Sequence, residues 1–456
     1  MGLPDVPTLN VIQLGFGFLT NFFAFNSQGF IEEAVIDSAS NNGKIDKHAG
    51  YLSLAIIYAV FTLGNFVAAP IVDILSPKWA MFFGALCYAI FQVGFLFLNE
   101  TYLYISSAVL GFGAAIIWTG QGSYLSQNCT KETASRNSAM LWGMSESSLL
   151  AGGLFLFIVF TTTGSADHIP TETINILYSV FFILSLLAAL IFALLRQPAY
   201  PEIKDKTSYV KLMASTFELM FTKRMFILAF VFAYTGIEQS FWTGIYPTCI
   251  SFTKKLGTNT NALLALNSIC TGFGQTAAGF CFGLMGDRMR KIGRDSIVLL
   301  GTIVHLIVFV LCYINFPADA SLKKTNDSAL IEPNVAIVLI TGALLGFGDA
   351  CWNTQLYSYL VDSYPDKSAQ AFALFKFYQS ALSCAAFFYS PILQLQWHLL
   401  ILVITSIIAA IGFFIVERIS KNAIYDSQEI HKIQYTMTEI ENSSSSVKQA
   451  DPEMLY

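Results

Sequence analysis

The chain has 456 residues, of which 55% are hydrophobic and only 12% charged, with a net charge of -5 and 40 phenylalanines. An average soluble domain is about a quarter charged, so a water-exposed surface built from this chain would be one large apolar patch. A soluble enzyme and a nucleic-acid binder are excluded, and a lipid bilayer is the partner this composition fits.

A helix needs about 20 largely apolar residues to cross the hydrocarbon, and twelve runs qualify. They lack the alternation of barrel strands, so they are read as helices. Residues 1–8 contain no Lys or Arg, so the first run, 9–31, is a retained span and not a cleaved signal. Spans 2 and 3 follow at 50–74 and 79–98. Span 4, at 102–126, carries Trp118, Gln121 and Tyr124 in one sector, three residues apart. They suit the frame of an amphipathic ligand, or equally helix packing. Span 5, at 138–161, carries Glu146 beside Ser145, Ser147 and Ser148, whose hydroxyls its carboxylate can accept. Span 6 runs from 174 to 195 and ends a first half, residues 1–196.

Residues 197–224 form the longest polar interruption between early and late spans, and a second half covers 225–416. Span 7, at 225–250, carries Glu238, read either as a proton or cation site or as a carboxylate bonded to neighbouring hydroxyls. Span 8 is 260–285, and span 9, 296–316, holds His305, read as a packing residue. The loop 317–333 contains Asn326, the one of four Asn-x-Ser/Thr sequons placed to accept a glycan. Span 10, at 334–361, carries Asp349 and Asn353 on one face, with Gln355 nearby. Span 11, 368–392, carries Lys376, which with Asp349 makes either a substrate contact, a gate or a static ion pair. Span 12 is 396–416, and the polar tail 417–456 is expected to be mostly disordered.

Two features organise these spans. Leu110–Leu125 in span 4 and Leu345–Leu360 in span 10 agree at nine of sixteen positions without a gap, an internal repeat at the same place in each half. With both termini in the cytosol, loop Lys and Arg number fourteen inside against six outside, the bias of a cytosol-facing side. The eight cysteines are scattered with no Cys-x-x-Cys pair, so neither a disulfide framework nor a metal site is expected, and no motif implies a cofactor. Gly111, Gly113, Gly346 and Gly348 lie inside membrane helices and follow no strand, so they read as packing surfaces and not as a phosphate loop.

Several motifs resemble one family. They are Gly50-Tyr-Leu-Ser-Leu-Ala-Ile-Ile-Tyr58, Trp118-Thr-Gly-Gln-Gly122, Arg136-Asn-Ser138, Ala233-Tyr-Thr-Gly-Ile-Glu238, Gly346-Phe-Gly-Asp349 with Asn353-Thr-Gln-Leu356, and Phe375-Lys-Phe377. Together they are similar to the uncoordinated-ninety-three-like branch of the major facilitator superfamily. Gly283-Leu-Met-Gly-Asp287-Arg288 resembles the acidic-basic gating loop of that superfamily, with Arg290 where a glycine is expected. The resemblance implies a twelve-helix fold in two six-helix halves. Spans 1, 4, 7 and 10 would line a central path, 2, 5, 8 and 11 flank it, and 3, 6, 9 and 12 support it. It also implies two functional readings: a secondary carrier of a small solute, proton- or cation-coupled, or a non-transporting regulator or chaperone of another membrane protein.

Overall fold

The computed structural model describes residues 5–40, 45, 49–97, 99–162, 171–200, 209–257 and 260–449. These residues are almost wholly helical; their one β feature is an isolated bridge between Thr253 and Thr325. Ten helices are long and apolar enough to cross a membrane. One of them, α2 (Ala49–Gly94), is two crossings: it breaks at Ser76, whose φ is 67°, immediately before Pro77. Proline disfavours the helical conformation in the residue before it and donates no hydrogen bond, so the chain turns there. Separating the two arms of α2, and adding the more polar α9 (Thr260–Leu284), gives the twelve expected crossings.

Spans 1 and 4 to 6 are α1 (Val6–Ser40), α3 (Glu100–Ser126), α4 (Ala134–Thr162) and α5 (Thr171–Ala193). The loop expected at 197–224 contains a short helix, α6 (Tyr209–Met220), whose Phe217 stacks on Phe66. Span 7 is α7 (Lys223–Ser240), a π-helical turn at Phe241–Ile245, and α8 (Tyr246–Phe252). After α9 and the short α10 (Gly286–Ile292), spans 9 to 12 are α11 (Arg294–Asn315), α12 (Val335–Ser363), α13 (Ser368–Tyr389) and α14 (Leu395–Gln449). The sequence reading ends the last helix near Val416 in a disordered tail. The backbone instead continues as helix to Gln449. No Gly or Pro occurs between Phe413 and Ala450, so nothing in the local sequence breaks the helix.

Helices in lipid gain nothing from expelling water and associate by close packing, which small residues permit. Both halves use glycine in the same way. A Cβ on Gly111 of span 4 would meet the Ile57 carbonyl of span 2, and a Cβ on Gly346 of span 10 would meet the Thr271 carbonyl of span 8. Gly84 of span 3 lies on the Gly113 carbonyl, and Gly301 of span 9 on the Gly348 carbonyl. Tyr124 donates to the Arg196 carbonyl past the end of span 6, and Tyr359 bonds Ser420 Oγ beyond span 12. The sequence repeat is thus a repeat of contacts.

The halves meet along two seams. Spans 5 and 8 run antiparallel with backbone almost on backbone: a Cβ on Gly279 would lie 2.5 Å from both Cα and N of Gly143, and Gly272 and Gly153 face the partner's backbone further along. Spans 2 and 11 meet through Thr62 Oγ1, which donates to Ser380 Oγ at 3.0 Å, and through the rings of Phe66 and Phe377, 4.6 Å apart.

The far end of the second half carries an ordered clasp. Lys254 N donates to the Thr325 carbonyl and Thr325 N to that of Phe252, which ties the loop after span 9 to the end of span 7. Lys255 pairs with Glu332 at 3.0 Å, Ile331 N donates to the Ile314 carbonyl, and Gln394 Nε2 donates to Asp319 Oδ1 ahead of span 12. Lys323, hydrogen-bonded to Asp319, holds that carboxyl below the usual carboxylate range. Asn326 is exposed at the tip of this clasp. Expression in a glycosylating host is expected to give a single N-glycan, lost in Asn326→Gln; a glycan that survives this change and disappears with Asn442 would invert the topology.

Candidate functional site

Four helices of the second half bring ionisable groups to one depth. Glu238 stands in the middle of span 7, just before its π-helical segment. A π turn widens the helix and shifts the register of the residues after it, and such turns recur at working sites. Asp349 is in the middle of span 10, His305 in the middle of span 9, and Lys376 in span 11. The exposures of Glu238, Asp349, His305 and Lys376 are 1%, 3%, 0% and 3%, so none faces lipid.

Glu238 and Asp349 are buried neighbours whose carboxyls interact electrostatically. Asp349 Oδ1 accepts from Asn353 Nδ2 at 2.9 Å, while Asp349 Oδ2 and Glu238 Oε1 have no conventional donor. Two carboxyls brought together away from water resist joint ionisation, which makes this pair a candidate site for a proton.

His305 joins the pair from the outer layer. Its Nε2 faces two acceptors, Glu238 Oε1 at 3.6 Å and the Leu345 carbonyl at 3.5 Å, so that nitrogen carries the hydrogen. Nδ1 is then the acceptor and takes the Tyr234 hydroxyl hydrogen at 2.5 Å. The ring fits only because residue 348 is glycine: a Cβ there would run into the imidazole. His305 is thus the satisfied packing residue that the sequence suggested, fully buried with partners for both ring nitrogens, and it packs beside Glu238.

Lys376 sits on the other side of this cluster, at the boundary between halves. Its Nζ donates to Gln379 Oε1 at 2.7 Å and lies 4.2 Å from the ring of Trp118, on span 4 of the first half. The rings of Phe375 and Tyr357 are 4.6 and 5.8 Å away. Its charge acts on Asp349 and Glu146 at longer range, and its direct hydrogen bond is to a neutral amide. Trp118 is seated on Phe18 and Phe22 of span 1. Glu146 and Trp118 are each half-buried.

Of the remaining expected residues, Gln121 reaches the centre, where its Oε1 accepts from Tyr357 across the boundary between halves at 2.9 Å. Gln355 is buried and donates to Thr354 of its own helix. Tyr124 points away, toward Arg196. Arg288 is exposed on α10, and the Asp287 side chain lies outside the described residues. Among the described residues no three His, Cys, Asp or Glu side chains are grouped to hold a metal ion. Sequence reasoning named His305 only as a packing residue and did not single out Tyr234, Tyr357 or Gln379 as neighbours of the cluster. The repeat held a signal for one of them: Gly84 and Gly301 make matching contacts, so Tyr88, four residues after the first, corresponds to His305, four after the second.

A family model described as "Ion channel regulatory protein UNC-93" matches residues 41–414. UNC93-like protein MFSD11 of Xenopus laevis is 35% identical over 442 residues, covering 92% of this chain and 98% of its own length. Protein unc-93 homolog A of Bos taurus is 23% identical over 448 residues, covering 88% and 92%. Among solved structures, the Major Facilitator Superfamily transporter FucP in its outward conformation aligns with a TM-score of 0.63 and 11% identity, over 90% of this chain and 98% of that one. The human organic anion transporter MFSD10 (TETRAN) aligns with a TM-score of 0.61 and 10% identity, over 91% and 100%. At such identities these two likenesses show the fold alone.

Proposed function

This chain belongs to the UNC-93 family and has the major facilitator fold, and from that premise we propose that it is a secondary carrier of a small solute, coupled to protons through Glu238 and Asp349. The observation that carries this reading is the acid pair itself. A buried ionisable group at mid-membrane is costly and persists where it serves a path or has a partner. Here two acids come together in the middle of spans 7 and 10, helices that line the central path of this fold, and a transferable proton would offset their mutual repulsion.

In alternating access the two halves would rock about their common boundary, so that the pair is reached from one side at a time. Lys376, Trp118 and Gln121, which bridge the halves at the same level, would hold the solute. The repeat is asymmetric at one position: Ala114 stands where the second half has Asp349, so on this reading the proton site belongs to the second half, while Trp118 and Gln121 of the first half supply aromatic and amide surface.

Reconstitution tests this directly. Purified protein in liposomes with an internal pH dye is expected to move protons when the right solute of a chemically broad panel is added outside. A panel that produces no proton movement from correctly folded protein counts against the carrier. The family description favours a second reading, regulation of an ion channel. In that case a co-expressed channel's current should change with this protein present, and Glu238→Gln should leave the change intact.

A further inference from the structure

The pose of Lys376 says more than that a solute binds. Among the described residues it is the one buried Lys or Arg. An ammonium has three donors, and one is used, on Gln379 Oε1. Its other neighbours are the faces of Trp118, Phe375 and Tyr357, which attract a cation without satisfying its hydrogen bonds. The acid best placed to pair with it, Asp349, is engaged elsewhere, with Asn353 on one oxygen and Glu238 beside it. A buried cation with spare donors, beside the half-buried Trp118, is an anion receptor waiting for its anion.

We propose that Lys376 receives a small organic monoanion, a carboxylate whose apolar or aromatic body lies against Trp118, and that the anion enters together with one proton taken by the Glu238–Asp349 pair. This rests on the carrier reading for the direction of events but not for the existence of the site. The charge balance comes from the groups that face one another. Spans 7, 9, 10, 11 and 5 contribute Tyr234 and Glu238, His305, Asp349 with Cys351 and Tyr357, Lys376, and Glu146, respectively. Without a solute, the charge of Lys376 is balanced at longer range by Asp349 and Glu146. A carboxylate bound directly to Nζ takes over that role. Asp349 is then left beside Glu238 with no positive neighbour to hold its charge, so the acid pair takes a proton. One negative charge and one proton enter together, and the transported unit is neutral. No bond is made or broken except the proton's.

The test uses the full chain in nanodiscs with phenylacetate as probe, and phenylacetamide and benzylamine as neutral and cationic counterparts of similar shape. Phenylacetate is expected to raise the melting temperature saturably and to quench fluorescence from Trp118, as judged against Trp118→Phe; the two counterparts are not. Between about pH 8 and about pH 6, where the probe stays ionised, its apparent affinity is expected to strengthen toward about tenfold per unit, the limit for one linked proton, and to lose that slope in Glu238→Gln; a slope unchanged in Glu238→Gln places the proton on Lys376 and overturns the acid-pair part of the proposal. Lys376→Met should lose the effect and Lys376→Arg should keep part of it. If Lys376→Met does not fold, the preference among the three probes and the pH slope decide. A preference for benzylamine, equal effects of phenylacetate and phenylacetamide, no effect of phenylacetate, or full binding in folded Lys376→Met overturns the proposal. Phenylacetate binding without flux in liposomes would defeat the carrier and leave the anion site standing. Proton-driven flux of a neutral or cationic solute without phenylacetate binding would do the reverse.

Discussion

Glu238→Gln is expected to abolish proton-coupled flux in liposomes while the protein still reaches its membrane and folds. The amide keeps the shape and can still donate to Asp349, so the contact between spans 7 and 10 survives. If the acid pair is the coupling site, this removes one of its two carboxyls and with it the ability to load and release the proton. The proposed carrier then requires wild-type flux to increase as the loading side is acidified, and the variant to lose that dependence. Asp349→Asn should behave differently. It removes a negative group that the Lys376 charge acts on, and breaking up a buried charge cluster by deleting one member typically costs about 3–5 kcal/mol. Reduced yield and a lowered melting temperature are therefore expected, with lost flux as a consequence. Full flux in both variants would make the acid pair structural and would remove the reason for proton coupling.

The second large effect is at the seam between spans 5 and 8. Gly279→Leu would force a branched side chain into a place where even a Cβ lies 2.5 Å from the Gly143 backbone. Overpacking a tight contact costs about 1–3 kcal/mol when neighbours can yield, and here the obstacle is the main chain of a second helix, which cannot rotate aside. The variant is expected to lose most folded protein in detergent size-exclusion runs. Gly29→Ala is the matched control, since a Cβ there meets nothing within 4 Å; it should match or slightly exceed wild type. Wild-type stability in Gly279→Leu would mean that the halves do not touch at this seam.

The fold was largely legible because its cause is local. Each span is an uninterrupted apolar run, and Ser76-Pro77 marks the break between spans 2 and 3 even though the helix geometry resumes at once. The repeat was legible because the glycines of spans 4 and 10 do the same job in each half. The candidate site was legible in part. Glu238, Asp349 and Lys376 announce themselves as charges inside apolar runs, and their burial agrees with that signal. Their pairing was not contained in it. The sequence reading joined Asp349 to Lys376, while the structure sets Asp349 against Glu238 and gives Lys376 a glutamine and a tryptophan. Partners on different helices depend on the rotation of each helix about its own axis, which an apolar run without a polar stripe leaves open. The surroundings of His305 were hidden for the same reason: it sits alone in span 9, and Gly348 across the interface makes room for it. The helical tail was missed because a polar composition describes what a segment cannot bury, and α14 needs no burial of its own when it grows from a helix already formed.

The clasp at the far end of the second half bears on how this molecule can be imaged. A 50.2 kDa protein built mostly of membrane-spanning helices offers little outside the micelle, beyond the polar end of α14, to fix its orientation in a projection image. The loop from Phe316 to Asn334 is exposed at its tip, yet it is pinned to span 7 by the Thr253–Thr325 bridge and by Lys255, and to the start of span 12 by Gln394. An antibody fragment raised against it would be carried rigidly by the second half alone. Such a fragment would serve as a fiducial whose tilt reports the attitude of one half against the other, at a distance from every residue of the central cluster.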